Sequence, residues 1–82
     1  MSEEREQIRS YIVDNFLFGD DRDLEDTTSF LESGIVDSTG ILELVSFLEN
    51  CFGIRVEDEE LVPENLDSVH RLVGFLARKR QG

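Results

Sequence analysis

Apolar residues recur at helical spacing in three stretches of the chain. Ile8, Tyr11, Ile12 and Phe16 share one face of a helix predicted over residues 3–17. Ser2 is placed to cap it, Glu3, Glu4 and Glu6 complement its positive end, and Gly19 with Asp20-Asp21-Arg22-Asp23 ends it. A second helix is predicted over residues 38–52, with Ile41, Leu44, Val45, Leu48 and Phe52 as its buried stripe and Gly53 as its stop. Thr39, Glu43, Ser46 and Asn50 form the opposite face, with Leu42 and Phe47 on the borders. Val69, Leu72, Val73 and Leu76 mark a last helix that starts near Asp67 or Ser68. Arg78, Lys79 and Arg80 stand at its C-terminal end, where cations are favoured.

Between the first two helices runs a long connection to about residue 37, with Phe30, Leu31 and Ile35 available to pack it down. A short turn or helix is expected at 57–62, ended by Pro63. No stretch alternates as a strand would. The pattern therefore gives an all-α fold: a small four-helix bundle, three helices substantial and one short, forming a single domain over residues 1–82.

Charge narrows the function. The chain carries 19 Asp and Glu against 8 Lys and Arg, for a net of −11. Residues 20–67 hold 15 of the acids and only two bases, Arg22 and Arg55, which makes a local net of −13. Such a field repels phosphate backbones and attracts basic protein surfaces, which argues against nucleic-acid binding. The lone Cys51 excludes an internal disulfide, and no apolar run reaches membrane-spanning length. A cytoplasmic, monomeric protein is the expectation.

The segment from Phe30 to Leu44 carries the chemistry. It places Ser38 where a loop turns into a helix, with Gly34 allowing a tight backbone before it and Asp37 or Ser38 able to cap the first amides. A phosphoryl group on that hydroxyl would lie at the positive end of the helix. On spacing alone a plain N-cap at Ser38 is the ordinary reading, since Ser is among the commonest caps. No nucleophile–base pair accompanies it, since the only imidazole, His70, lies near the start of the last helix. An enzyme is not expected. Asp21, Asp23, Glu25 and Glu32 occupy positions 1, 3, 5 and 12 of a calcium loop, but Asp26 stands where that loop requires Gly, so no metal site is assigned.

The order of elements, with Gly34-Ile35-Val36-Asp37-Ser38, the close Phe52-Gly53-Ile54, the acidic Asp58-Glu59-Glu60 and the run Asn65-Leu66-Asp67-Ser68-Val69, resembles the acyl carrier proteins over nearly the whole chain. The resemblance implies an acyl-carrier-like four-helix bundle with a long first loop. It also implies a 4′-phosphopantetheine attached covalently to Ser38 beside Asp37, derived from coenzyme A and holding an acyl group as a thioester. The implied partners are a Mg²⁺-dependent phosphopantetheinyl transferase, an acyl- or aminoacyl-loading ligase or synthase, and downstream acyltransferases of lipid, fatty-acid or secondary-metabolite biosynthesis. Docking would use Leu42 and Ser46 as a neutral centre, Glu43 and Glu49 as charges, and Glu57, Asp58, Glu59 and Glu60 below them. Phe30, Ile35, Val45, Leu48, Val56, Leu61 and Leu72 are candidates to line an acyl shelter, or simply core.

Thr39 and Gly40 stand where carriers of fatty-acid synthesis usually have Leu and an acid, and Asn50 and Cys51 where further Glu is usual. Gly34 also lies one residue farther from Ser38 than is usual in those carriers. The string from Ser33 to Gly40 looks more like stand-alone carriers loaded by AMP-forming ligases, D-alanyl carriers among them. A specialised carrier is the expectation, with an aminoacyl, D-alanyl or peptidyl carrier as the alternative. A helical interaction module without a prosthetic group is the alternative of another class.

Overall fold

Helix α1 covers Glu3–Phe16 in the computed structural model, which describes residues 3–22 and 24–81. The expected Ser2 cap and Asp23 lie outside the described residues. Ile8 and Ile12 are completely buried on the inner face, while Tyr11 and Phe16 sit half-buried on its border. The helix closes tightly, because the N–H groups of Leu17 and Gly19 both donate to the Val13 carbonyl, at 3.2 and 2.9 Å. That closure needs left-handed backbone at two residues, Phe18 (φ 54°) and Gly19 (φ 87°). Glycine adopts it freely, whereas a residue with a Cβ pays about 1–2 kcal/mol.

The long connection is not bare loop. Phe30–Ser33 forms a one-turn helix, α2, capped by the Ser29 hydroxyl, which accepts the Glu32 N–H, and ended by Gly34 at φ 77°. Phe30 is fully buried and Ile35 half-buried, as the packing expectation requires, but Leu31 stays exposed. Two residues near the last helix pin this segment. Asp67 accepts the Ser29 hydroxyl at 2.5 Å and the Leu31 N–H at 3.0 Å on its carboxylate, and the Phe30 N–H at 2.7 Å on its carbonyl. His70 donates its backbone N–H to the Asp26 carbonyl at 2.8 Å. The Asp26 carboxylate in turn holds α1 through Arg5 at 2.5 Å and Arg9 at 3.2 Å. Asp26, which stands at the glycine position of the defective calcium loop, thus works as an anchor.

Helix α3 spans Ser38–Phe52, as predicted, with Leu44 and Leu48 completely buried and Ile41, Val45 and Phe52 half-buried. Gly53 (φ 67°) ends it, its N–H donating to the Glu49 carbonyl at 3.1 Å. Phe47, assigned to a border, lies half-buried, its ring stacked on Tyr11 at 4.1 Å. The expected short element at 57–62 is a 3₁₀ turn at Asp58–Glu60. Pro63 does not end it but opens a further single turn, α4, at Pro63–Leu66. A proline is tolerated at a first helical position because its missing N–H would have no partner there.

Helix α5 covers Val69–Gln81. Val69, Leu72 and Leu76 complete the core, Val73 is half-buried, and Phe75, outside the predicted stripe, is buried beside them. Its terminal bases do more than complement the helix dipole. Arg78 donates to Asn65, Lys79 reaches Glu60 at 2.8 Å, and Arg80 pairs with Glu4 of α1. All regular structure among the described residues is helical, and no helix is long and apolar enough to cross a membrane.

Candidate functional site

Asp37 resolves which residue caps α3. Its backbone is extended (φ −100°, ψ −174°), its Oδ1 accepts the Gly40 N–H at 2.7 Å, and its carbonyl accepts the Ile41 N–H at 2.9 Å. The plain N-cap reading of Ser38 is thereby removed, because that role is filled. Ser38 is the first helical residue, exposed, and its hydroxyl has no partner among the described residues. The Ser38 and Thr39 amides belong to the first turn and have no acceptor there either. An exposed hydroxyl beside two free amides at the positive end of a 15-residue helix suits a phosphodiester. The structure therefore fits a phosphopantetheine on Ser38.

The height of Ser38 is set by packing beneath it. Val36 is buried, and its N–H donates to the Phe30 carbonyl at 3.2 Å. Gly40, two residues beyond the serine, is buried against Val36 and Phe16. A Cβ there would stand 2.9 Å from Phe16 Cε1 and 2.9 Å from Val36 Cγ1. In the sequence Gly40 stands out only as a departure from the pattern of fatty-acid carriers; its role as a seat for the Phe16 ring shows only in three dimensions.

Two hollows flank the site. A groove of about 260 Å³, lined by Phe16, Gly34, Ile35, Asp37, Thr39, Gly40 and Glu43, lies on the α1 side. On the other side, Leu31, Ile41, Leu61, Val62, Pro63 and Leu66, with Asp67, line a mainly apolar cavity of about 70 Å³. That is under half of the roughly 150 Å³ that houses a benzene. Of the candidate acyl-lining residues, Phe30, Leu48 and Leu72 are sealed in the core. Ile35, Val45, Val56 and Leu61 are half-buried, and only Leu61 faces this cavity.

The expected docking residues divide into two groups. Leu42, 62% exposed, Glu43 and Ser46 present an open face on α3. Glu43 also lies close enough to Tyr11 to help raise its phenol pKa, an effect that owes more to burial of the ring. Asp58 and Glu59 are exposed, and Glu57 pairs with Arg55 at 3.3 Å. Glu49 and Glu60 carry contacts within the fold. The Glu49 carboxylate accepts the Val56 N–H at 2.9 Å. That of Glu60 accepts the Glu57 N–H at 2.9 Å and the Lys79 ammonium at 2.8 Å, which together hold its pKa below the usual range. His70 is exposed in a cleft with Arg71 and Arg78 and has no part in the Ser38 site.

Comparison with known proteins agrees with this geometry. Residues 6–76 match the family described as phosphopantetheine attachment site. A probable acyl carrier protein, PigG, of a Serratia species is 32% identical over 88% of this chain and 83% of its own. The D-alanyl carrier protein of Streptococcus uberis is 36% identical over 80% of this chain and 86% of its own. Among solved structures, the acyl carrier protein of Thermotoga maritima superposes with a TM-score of 0.67 at 27% identity, over 96% of this chain and 93% of that one. A chain in a crystal structure described as an FAD-dependent dehydrogenase superposes with a TM-score of 0.75 at 28% identity, over 84% of this chain and 97% of that one. The protein belongs to the phosphopantetheine-binding carrier family and, with it, to proteins that bear a covalent 4′-phosphopantetheine.

Proposed function

We propose that Ser38 is the attachment residue and that this chain is a specialised carrier of an acyl thioester. The observation that carries the assignment is the unpartnered Ser38 hydroxyl at the first position of α3, with Asp37 already occupied as the cap. The prosthetic group supplies the thiol that bears the cargo. The chain supplies a rigid helix end, two free amides for the phosphodiester, and an acidic face for partners. In this reading the chain presents the cargo, and a separate transferase supplies the base that activates the Ser38 hydroxyl. The proposed setting is cytoplasmic and monomeric, with residues 1–82 as one carrier domain.

An aminoacyl carrier loaded by an AMP-forming ligase is the second reading. The D-alanyl carrier of Streptococcus uberis and the string from Ser33 to Gly40 support it. The partners in either case are the phosphopantetheinyl transferase, the loading ligase or synthase, and the acyltransferases that take the cargo.

The test is direct. The protein is incubated with coenzyme A, Mg²⁺ and a broad-specificity phosphopantetheinyl transferase, then weighed intact by mass spectrometry. One added arm that Ser38→Ala abolishes is the expected result. An arm retained in Ser38→Ala would overturn the assignment, and no addition with several transferases would favour a plain interaction module.

A further inference from the structure

Phe18 is 96% exposed, far more than any other large apolar residue described. It is also the one described non-glycine residue in the left-handed region, at φ 54°. Both properties are unfavourable, and the core recovers neither. Gly or Asn is the ordinary occupant of such a helix-closing position, and here the glycine stands one residue later, at Gly19. Outliers of this kind gather at binding and switch sites.

The position of Phe18 gives the outlier meaning. It lines a surface groove of about 400 Å³ with Phe16, Leu17, Asp20, Thr28, Ser33 and Ile35. Phe16 and Ile35 also line the groove that borders Asp37 and Thr39, the two chain neighbours of Ser38. The two grooves thus share a wall and run from the flank of Ser38 to the Phe18 ring. Leu42, one helical turn beyond Ser38, is the exposed apolar residue on the α3 side.

We propose that Phe18 is an apolar anchor for the enzyme that modifies Ser38, the phosphopantetheinyl transferase, on the α1 side of the attachment point. This rests on Ser38 being the attachment residue. An enzyme acting on a thiol at the end of a long arm needs to hold only one face of the carrier. An enzyme acting on the serine oxygen must close over both sides of the helix end. The transfer joins Ser38 Oγ to the phosphorus of the pantetheine phosphate and breaks that phosphorus's bond to the nucleotide part of coenzyme A, while the hydroxyl proton passes to a base on the transferase. Asp14 and Asp21 are exposed near the anchor in sequence, while the Asp20 carboxylate is paired with Arg22 at 2.7 Å, so the segment keeps a negative balance and the complementary surface is an apolar pocket with a basic rim.

The experiment measures arm transfer from coenzyme A to the unmodified carrier by a broad-specificity transferase, with carrier concentration varied. Phe18→Ser and Phe18→Gly should each raise KM for the carrier by about fivefold or more, as loss of an interface anchor does, with kcat within about twofold. Thermal melting accompanies the kinetics. Phe18→Gly should melt no lower than the parent, which separates lost docking from lost folding. Unchanged KM in both variants would overturn the anchor. The assignment of Ser38 fails separately, if the parent protein itself takes no arm or takes it elsewhere.

Discussion

The Phe16 ring rests on the bare backbone of Gly40, so closely that a single methyl group at residue 40 would stand 2.9 Å from Cε1 of the ring. The same methyl would meet Val36 Cγ1 at 2.9 Å, and Val36 is buried and stiff at χ1. Helix propensity alone favours Ala over Gly by up to about 1 kcal/mol. Overpacking costs about 1–3 kcal/mol and should win. Gly40→Ala is therefore expected to lower Tm by several degrees in a thermal melt. A variant more stable than its parent would show that Phe16 swings away freely.

Removal of the Asp37 cap has a smaller and more local effect. Its Oδ1 holds the Gly40 N–H at 2.7 Å, and such a cap contributes about 1 kcal/mol. Asp37→Ala should lower the urea midpoint accordingly, while Asp37→Asn, which keeps an oxygen acceptor, should recover most of the loss. Equal losses in the two variants would mean that the charge on Asp37, and not the hydrogen bond, holds the helix end.

The sequence carried the three long helices because each has a continuous apolar stripe and clear stop residues, Gly53 the plainest. It was less informative where tertiary contacts decide. Nothing local announces α2, a single turn held from outside by Asp67 on Ser29, Phe30 and Leu31. Pro63 is ambiguous by nature, since proline both ends helices and starts them. Ser38 was legible as a residue at a helix start, but its freedom depends on Asp37 taking the cap. The contacts of Glu49 and Glu60 within the fold were not legible either, because composition cannot tell a free carboxylate from one that accepts a backbone N–H.

Acid should unfold this protein through Asp26 and Glu60. Hydrogen bonds from Arg5 first, with Arg9 assisting, hold the Asp26 pKa below its ordinary 3.8. The Glu57 N–H, then Lys79, lower that of Glu60 from 4.5. A depressed folded-state pKa contributes stability that is present above the unfolded value and lost as pH falls through the folded one. Those contributions are therefore intact at pH 7 and disappear below about pH 4. Between pH 7 and 5, partial neutralisation of the −11 charge relieves self-repulsion and should keep stability level or raise it slightly. Urea titrations at pH 7, 5 and 3 check the profile, and Asp26→Asn should flatten its acid limb. A steady decline from pH 7 would contradict it.

Glu43 and Glu49 are separated in sequence by six residues and in role by their surroundings. Glu43 is exposed beside the Ser38 groove, whereas Glu49 is half-buried with its carboxylate on the Val56 N–H. Reversing an exposed rim charge alters association more than folding. Glu43→Lys should raise KM for the carrier in arm transfer by about threefold or more at low salt, with Tm little changed and the difference shrinking as salt screens the field. Removing the acceptor at Glu49 leaves a half-buried amide to find water and costs about 1 kcal/mol. Glu49→Ala should therefore lower the urea midpoint while its KM stays near that of the parent. If Glu49→Ala instead kept full stability and lost transfer, both carboxylates would belong to the docking face.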